Sequence, residues 1–305
     1  MLVSLIHKIR FILITPISLN ICAIFLAITK LINFNGVNSI LFNTAFVMMR
    51  HAFIKKIRLH YDPKIIREKR LIMISNHIYS SDIPVTWFGL HSLKKKKLIY
   101  NSKSSLSLYG KIFSFLNKNT NFIFLNRNLP YDYITMVDAC SKIKKMKEYT
   151  TVIFPEGTLF SHSISNKVNI ERAKNRDINV TENVLIPKTK GFKVLLETLY
   201  QDLDGIIDCT LSYSRPITLK NFILGKRSTV DIYMNFLEKP KVEESEEWLL
   251  KLFYIKDKEI KNNVLQKDYY FNIRLRSAKT IKMVSTLCVP WLLSKIKTKF
   301  IKKYN

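Results

Sequence analysis

A histidine and an aspartate lie five positions apart in the segment Ser75-Asn76-His77-Ile78-Tyr79-Ser80-Ser81-Asp82. An apolar, β-prone run precedes this segment, and residues 82–90 are typical of a helix with Asp82 as its predicted N-cap. A turn between strand and helix can bring His77 against Asp82, whereas one continuous helix would place them on different faces. A histidine held by a carboxylate has a fixed tautomer, which suits a general base for a hydroxyl. The alternative is a surface-loop histidine beside an N-cap aspartate.

A second apolar run ends in a polar turn at Val152-Ile153-Phe154-Pro155-Glu156-Gly157-Thr158. Together, the Asn-His-x4-Asp turn and the Phe-Pro-Glu-Gly-Thr turn resemble the glycerolipid acyltransferases, which include 1-acylglycerol-3-phosphate and other lysophospholipid acyltransferases. Two weaker matches follow the same order along the chain, residues 121–127 ending in Arg127 and residues 184–192 containing Pro187. The four blocks span residues 70–195, and we expect the similarity to continue to about residue 260.

Two further stretches, residues 171–175 and 207–213, are similar to the lysocardiolipin and lysophosphatidylinositol acyltransferase branch. In that branch a tryptophan usually follows the aspartate of the first motif. Here Ile83-Pro84 follows, and the nearest tryptophan is Trp87. The departure affects the expected acyl or headgroup contacts and leaves His77 and Asp82 unchanged.

The chemistry and the resemblance assign the same catalytic roles to His77 and Asp82. The acceptor hydroxyl is a weak nucleophile near neutral pH, and a positioned base supplies about 10²- to 10⁴-fold. We therefore predict His77 as the base and Asp82 as the residue that holds it. Lys103, which follows the run 98–101, matches a family lysine and is a candidate donor to the oxyanion; the alternative is a solvated surface lysine. The chain has no G-x-S-x-G elbow, and no acyl-enzyme is expected.

Four residues are candidates for binding the acceptor. A guanidinium binds phosphate with two parallel hydrogen bonds, which suits Arg127 at a strand end. The resemblance implies that Glu156 also occupies an acceptor-binding position. Physically, its carboxylate could accept hydrogen bonds from polyol hydroxyls or anchor Arg127. Gly157 allows close backbone approach, and Thr158 can donate its hydroxyl.

Composition limits the class of protein. The chain has 305 residues, 47% of them hydrophobic, and a formal net charge of +27, which favours anionic partners such as phospholipids or coenzyme A. No zinc spacing or RNA-recognition signature supports nucleic-acid binding. The four cysteines show no metal-ligand or disulfide spacing, so we predict free thiols in a reducing compartment and neither a metal nor a bound cofactor. They are Cys22, Cys140, Cys209 and Cys288.

Both ends of the chain point to a membrane. Residues 11–29 contain no charged residue, are flanked by Lys8, Arg10 and Lys30, and can span a bilayer, although a cleaved signal peptide is the alternative. Residues 37–49 form a second, shorter apolar stretch, consistent with a helical hairpin. The basic residues Arg50, Lys55, Lys56 and Arg58 that follow suit an anionic membrane face or a solvated helix end. The basic tail, 294–303, is predicted to be an interfacial helix, and Lys302-Lys303 resembles a dilysine signal for retrieval to the endoplasmic reticulum.

Alternating strand and helix patterns between these ends predict an α/β fold, a largely parallel sheet flanked by helices. The predicted strands are 71–75, 98–101, 122–125, 151–154, 184–187, 206–213 and 230–236, and the predicted helices are 84–93, 104–116, 131–147, 192–203 and a surface helix within 243–268. Residues 159–183 are predicted to be a long loop with a short helix at 169–173. The predicted domains are membrane-anchoring helices at 1–57, an acyltransferase domain at 58–270 and a basic tail at 271–305.

We therefore expect a membrane-bound, acyl-coenzyme A-dependent O-acyltransferase of phospholipid synthesis or remodelling. Its acceptor would be lysophosphatidic acid, lysophosphatidylinositol or lysocardiolipin, and acyl-coenzyme A would be its co-substrate. The expected location is the endoplasmic reticulum membrane, with the active site facing the cytosol. The alternatives are a coenzyme A-independent transacylase and a non-enzymatic membrane scaffold on the same fold.

Overall fold

A computed structural model describes residues 54–79, 81–106, 120–160, 162–217, 221, 226–262, 264–265 and 270–272. The chain divides into two units. One comprises Ile54–Asn221 and Arg227–Ile273 and contains the sheet. The other comprises residues 1–53, 222–226 and 274–305, nearly all of which lie outside the described residues.

Within the described residues, eight strands form a single sheet in the order β4-β3-β5-β2-β6-β7-β1-β8. Strands β4, β3, β5, β2 and β6 run parallel, β7 is antiparallel to β6, β1 is parallel to β7, and β8 is antiparallel to β1. This mixed, mostly parallel sheet confirms the predicted α/β fold. The strands are β1 (Ile54–Tyr61), β2 (Arg70–Ser75), β3 (Leu98–Lys103), β4 (Thr120–Leu125), β5 (Tyr149–Ile153), β6 (Gly205–Tyr213), β7 (Ser228–Leu237) and β8 (Tyr270–Asn272).

Six α-helices lie in the described part of the chain, and three of them cover one face of the sheet. Helix α3 packs against α5, and α5 packs against α6, around a core that includes Ile72 and Ile74 of the central strand. On α2, a methyl group at Gly89 would lie 2.8 Å from Met234 Cε, so that helix packs closely on β7. The helices are α1 (Lys64–Arg67), α2 (Asp82–Ser92), α3 (Leu129–Ile143), α4 (His162–Lys174), α5 (Thr189–Leu199) and α6 (Ser245–Asn262).

A buried ion pair joins α6 to the sheet. The Lys256 ammonium donates to Asp208 Oδ1 at 2.6 Å, to the Cys209 carbonyl at 2.6 Å and to Thr210 Oγ1 at 2.8 Å. All three donor hydrogens of the ammonium therefore have acceptors, as a buried charge requires.

The prediction of a strand at 184–187 is wrong. These residues are buried but are not paired in the sheet, because side chains satisfy their backbone groups. Leu185 N–H donates to Glu156 Oε2 at 3.2 Å, and Ile186 N–H donates to Asn169 Oδ1 at 2.9 Å. The apolar composition of residues 184–187 correctly predicts that they are buried. The Glu156 and Asn169 side chains accept the backbone N–H groups that a neighbouring strand would otherwise pair.

The prediction of a long loop at 159–183 is wrong in part: α4 occupies His162–Lys174, so the short helix predicted at 169–173 exists but is much longer. Its inward face carries polar groups, so the apolar periodicity of a helix is absent from the sequence. Asn169 is buried and its amide donates to the carbonyls of Thr181 and Val184 at 2.8 and 2.9 Å. A helix held by buried hydrogen bonds cannot be recognised from hydrophobic spacing.

Strand β1 was not predicted and begins at Ile54, ahead of Arg58. Lys55 and Lys56 are exposed on this strand, and Arg58 forms an ion pair with Asp231 of β7. The interpretation of these basic residues as a solvated helix end is therefore wrong.

No helix in the described ranges is long and apolar enough to cross a membrane. The predicted spans at 11–29 and 37–49, the basic tail and its dilysine all lie outside the described residues. Of the four cysteines, Cys140 and Cys209 lie within them, and both are buried free thiols.

Candidate active site

The polar motifs meet at one edge of the sheet. The parallel strands β2, β3, β4, β5 and β6 all present their carboxyl ends there, which is where open α/β sheets place their sites. His77 follows β2, Glu156 follows β5, and Tyr213 ends β6. Since β5 and β6 flank β2, these three residues come from neighbouring strands.

The structure brings His77 and Asp82 together as predicted. His77 Nδ1 lies 3.0 Å from Asp82 Oδ2, and the histidine ring stacks on Phe154 with centroids 4.4 Å apart. The Asp82 side chain is fully buried, whereas 18% of the His77 side chain remains accessible. An Nδ1–H donor to the carboxylate leaves Nε2 with a lone pair, which is the form that a general base needs.

The prediction of Asp82 as N-cap is wrong, because Ser81 holds that position and Asp82 is the first residue of α2. Its carboxylate instead accepts hydrogen bonds from backbone N–H groups that precede it in the motif. Oδ2 accepts the Ile78 N–H at 2.5 Å and the Tyr79 N–H at 2.9 Å. The same oxygen that holds His77 therefore closes the turn between strand and helix.

Tyr213, which sequence reasoning missed, holds the other oxygen of Asp82. Its hydroxyl donates to Oδ1 at 2.5 Å. Burial and the neighbouring Asp82 carboxylate raise the pKa of Tyr213 well above its usual range, so the hydroxyl remains a donor. The only available sequence signal was a polar-tipped aromatic residue at the end of a predicted strand.

Asn76 fastens the end of β2 to β6. Its amide donates to the Leu211 carbonyl at 3.0 Å, and its Oδ1 accepts the Leu211 N–H at 2.7 Å. Asn76 is fully buried, and these two bonds continue the pairing that the backbone ladder ends at Ser75. The residue before His77 therefore has a fixed position.

Glu156 lies beneath the turn and is fully buried. Its Oε1 accepts the His77 N–H at 3.0 Å, and its Oε2 accepts the Leu185 N–H. Burial raises the pKa of Glu156 to about 8, although both hydrogen bonds oppose the rise. In this arrangement the carboxyl group positions the backbone of His77, whereas the sequence predicted contact with the acceptor or with Arg127.

Two cations meet at Gly157. The Arg127 guanidinium donates to the Gly157 carbonyl, and a methyl group at Gly157 would lie 3.7 Å from Lys188 Nζ. Burial, Arg172 and Arg127 lower the pKa of Lys188, as expected where positive charges are crowded. Gly157 has φ of 71°, a left-handed conformation that favours glycine.

The other two predicted site residues lie at the same edge. Thr158 is partly buried next to Gly157. Lys103 ends β3 and is exposed, and β5 separates its strand from β2, so about 10 Å of sheet lies between them. In the described part of the chain no hydrogen bond joins Lys103 to the His77–Asp82 pair.

The Glu156→Gln variant is expected to show a weaker pH dependence of stability. The pKa of Glu156 is raised from 4.5 to about 8 on folding, so the folded chain binds this proton more tightly than the unfolded chain. Its stabilising contribution is complete below pH 4.5 and is lost as the pH rises through 8. The slope is at most about 1.4 kcal/mol per pH unit. Urea unfolding at a series of pH values measures it.

Glutamine offers one acceptor oxygen where the carboxyl offers two, so at low pH the exchange also costs about 1–3 kcal/mol. The control is Glu197→Gln on α5, whose side chain is exposed and which should keep the parental slope. Parallel stability curves for the parent and Glu156→Gln would contradict a protonated Glu156.

The site thus combines an α/β sheet, a histidine–aspartate pair and a cationic turn at the strand ends. Comparison with known families identifies the class of protein that carries this combination. A family model described as Acyltransferase matches residues 56–214, just over half of the 305 residues. The chain therefore belongs to the acyltransferase family, which confirms the resemblance to the glycerolipid acyltransferases drawn from the motifs.

Individual relatives agree with this assignment. The chain is 25% identical over 219 residues to 1-acyl-sn-glycerol-3-phosphate acyltransferase delta of Homo sapiens, covering 67% of this chain and 54% of the relative. It is 26% identical over 232 residues to probable 1-acyl-sn-glycerol-3-phosphate acyltransferase 5 of Arabidopsis thaliana, covering 72% and 58%. The chain thus spans about half the length of the curated relatives it matches. The crystal structure of the 1-acyl-sn-glycerophosphate acyltransferase PlsC from Thermotoga maritima aligns with a TM-score of 0.48 and 13% identity, over 85% of this chain and 98% of that chain.

Proposed function

We propose that this protein transfers an acyl chain from acyl-coenzyme A to a free glycerol hydroxyl of a lysophospholipid. The observation that supports this most strongly is the His77–Asp82 pair, which is fully built and partly accessible at the carboxyl edge of the sheet. The names of the relatives, 1-acyl-sn-glycerol-3-phosphate acyltransferases, point to a lysophosphatidic acid-like acceptor.

The reaction then needs one base and no covalent enzyme intermediate. His77 Nε2 takes the proton of the acceptor hydroxyl as its oxygen attacks the thioester carbonyl. Asp82 stabilises the positive charge on the imidazole during this step. When the tetrahedral intermediate collapses, the C–S bond breaks, and His77 returns the proton to the sulfur of coenzyme A. Lys103 remains the proposed donor to the oxyanion.

Arg127 and Lys188 are proposed to bind the acceptor phosphate. Both are exposed and converge on Gly157, and Arg172 and Arg176 add further positive charge nearby. Burial and then the positive charges of Arg172 and Arg127 lower the pKa of Lys188, and a bound phosphate would offset the repulsion from these two arginines. Thr158, next to Gly157, is placed to donate its hydroxyl to the same group.

The Lys188→Ala variant is expected to raise the KM for the acceptor by about 10- to 100-fold, because one charge-assisted hydrogen bond is lost. The kcat value should change little. Initial rates at varied acceptor concentration measure both constants. Lys190→Ala removes an exposed lysine two positions later and is the control. An unchanged KM in Lys188→Ala would remove this residue from the phosphate site.

Acyl transfer in membranes from cells that express the protein tests the proposed function. Labelled acyl-coenzyme A would be supplied with lysophosphatidic acid, lysophosphatidylinositol, lysocardiolipin or glycerol 3-phosphate, with His77→Ala in parallel. A product that requires His77 would establish the reaction, and the preferred acceptor would identify the branch. Transfer without added acyl-coenzyme A would favour the transacylase. No transfer by a folded, membrane-bound protein would favour the scaffold.

The proposed setting is the endoplasmic reticulum membrane, with the site facing the cytosol. Supporting it are the long apolar stretch at 11–29 and the dilysine at 302–303. Fluorescence microscopy of the tagged chain, with a Lys302→Ser, Lys303→Ser variant, separates retention by the dilysine from retention by other segments.

A further inference from the structure

The first two turns of α3 expose apolar side chains that the core does not use. Tyr131 is 66% exposed, Ile134 is 65% exposed and Tyr133 is 53% exposed. The core-facing stripe of the same helix begins at Met136 and continues through Cys140 and Ile143. Tyr131 and Ile134 are three residues apart and lie on the opposite, outward stripe.

This exposed apolar end of α3 lies at the edge of the sheet that carries the site. Helix α3 begins four residues after β4 ends, so its first turn is at the carboxyl edge of the parallel strands. Arg127, in the connection between β4 and α3, reaches Gly157 of the second motif. Farther along α3, the outward stripe is polar, with an Asp138–Lys142 ion pair at 2.7 Å. The apolar surface is therefore confined to the end of the helix nearest the site.

The charges around this turn are mostly positive. Exposed Lys103, Arg127 and Lys188 lie at the same edge, within a chain of net charge +27. The nearby carboxylate, Asp132, accepts the Asn126 N–H at 2.7 Å and is thereby engaged in the β4–α3 connection. Apolar and aromatic side chains flanked by cations are the composition that inserts into the headgroup region of an anionic bilayer.

We propose that Tyr131 and Ile134 form a membrane-contact surface that inserts into an anionic phospholipid bilayer beside the active site. The inference rests on the proposed function, since a lipid acceptor held in a bilayer reaches His77 only if this edge faces the membrane. It adds a contact made by the globular unit itself, independent of the predicted apolar stretch at 11–29.

Depth-dependent fluorescence quenching tests the proposal. Ile134→Trp and Ile66→Trp would each be made in the full chain, and the signal of the parent subtracted. Ile66 is 47% exposed on α1, which precedes β2 and so lies at the opposite edge of the sheet. Vesicles would contain phosphatidylglycerol and phosphatidylcholine brominated near the headgroup end of its acyl chains. Quenching of the added tryptophan at 134 is expected to be at least about twofold stronger than at 66.

The quenching needs neither substrate nor turnover, so failure of the proposed activity would leave it unchanged. Equal quenching at positions 134 and 66 would overturn the proposal. So would an unquenched tryptophan at 134 in chain that floats with the vesicles, because the membrane contact would then lie elsewhere. A change in the fluorescence of the tryptophan at 134 that depends only on protein concentration would assign the surface to contact with a second copy of the chain. That result would also overturn the proposal.

A second variant keeps the proposal testable in kinetics. Tyr131→Ser with Ile134→Ser changes exposed residues only and is expected to fold. For a long-chain acceptor in vesicles, the apparent KM should rise about tenfold, because two inserted side chains are lost. For a monomeric short-chain acceptor, kcat and KM should stay at the parental values. An equal change with both acceptors would overturn a role in membrane contact.

Discussion

The His77→Ala variant is expected to lose about 10²- to 10⁴-fold in kcat for acyl transfer, with little change in the KM of either substrate. The ring is replaceable without collapse of the turn, since Asp82 is also held by Ile78 N–H, Tyr79 N–H and Tyr213. Added imidazole should restore part of the rate by entering the space beside Phe154. Steady-state rates with and without imidazole measure both effects.

The matched control is His91→Ala, which removes an imidazole from the other end of the same helix. His91 is exposed and stacks on Trp87 at 4.8 Å, so its loss tests for general damage to α2. Its activity should stay within about twofold of the parent. A kcat unchanged by His77→Ala would remove this residue from the reaction.

The Asp82→Asn variant is expected to lose about 10²- to 10⁴-fold in kcat, because a neutral amide cannot stabilise an imidazolium. Its remaining oxygen can still accept the N–H groups of Ile78 and Tyr79, so the turn keeps its shape. The amide nitrogen can donate to Tyr213, reversing the bond seen in the parent. The loss should therefore appear in kcat rather than in the thermal stability.

The Tyr213→Phe variant keeps the charge of Asp82 and removes only the hydroxyl that donates to its Oδ1. One donor to the carboxylate is lost, and we expect kcat to fall by about 3- to 30-fold. Combined with Asp82→Asn, the same change should cost almost nothing, because Tyr213 acts through Asp82. Asp138→Asn, an exposed exchange on α3, is the control and should leave kcat unchanged. Additive losses in the double variant would contradict this dependence.

The sequence predicted the contact between His77 and Asp82 because its signal is local. His77 and Asp82 lie on one turn, between a strand of apolar residues and a helix start, and each element has its own pattern. The same holds for Glu156 and Gly157 at the end of β5. Strand and helix alternation then placed both turns at one edge of the sheet.

What the sequence could not predict is contact between distant segments. Tyr213 and Asp82 are 131 positions apart, and Glu156 and His77 are 79 positions apart. The local sequence of these segments does not indicate that the Tyr213 hydroxyl donates to Asp82 or that the His77 N–H donates to Glu156. The length of helix α4 was underestimated for a related reason: Asn169 and Arg172 replace apolar residues on its inward face, and their carbonyl partners lie in other segments.

The position of β2 between β5 and β6 also has a kinetic consequence for how the candidate site forms during folding. The His77–Asp82 turn can form early, but its supports come from strands that follow much later in the chain, and pairing of such distant parallel strands is slow. A nascent chain that ends before β6 would contain His77 and Asp82 without Tyr213 and without the Leu211 backbone that fixes Asn76. We therefore expect the proposed acyl transfer to appear only after the sheet is complete.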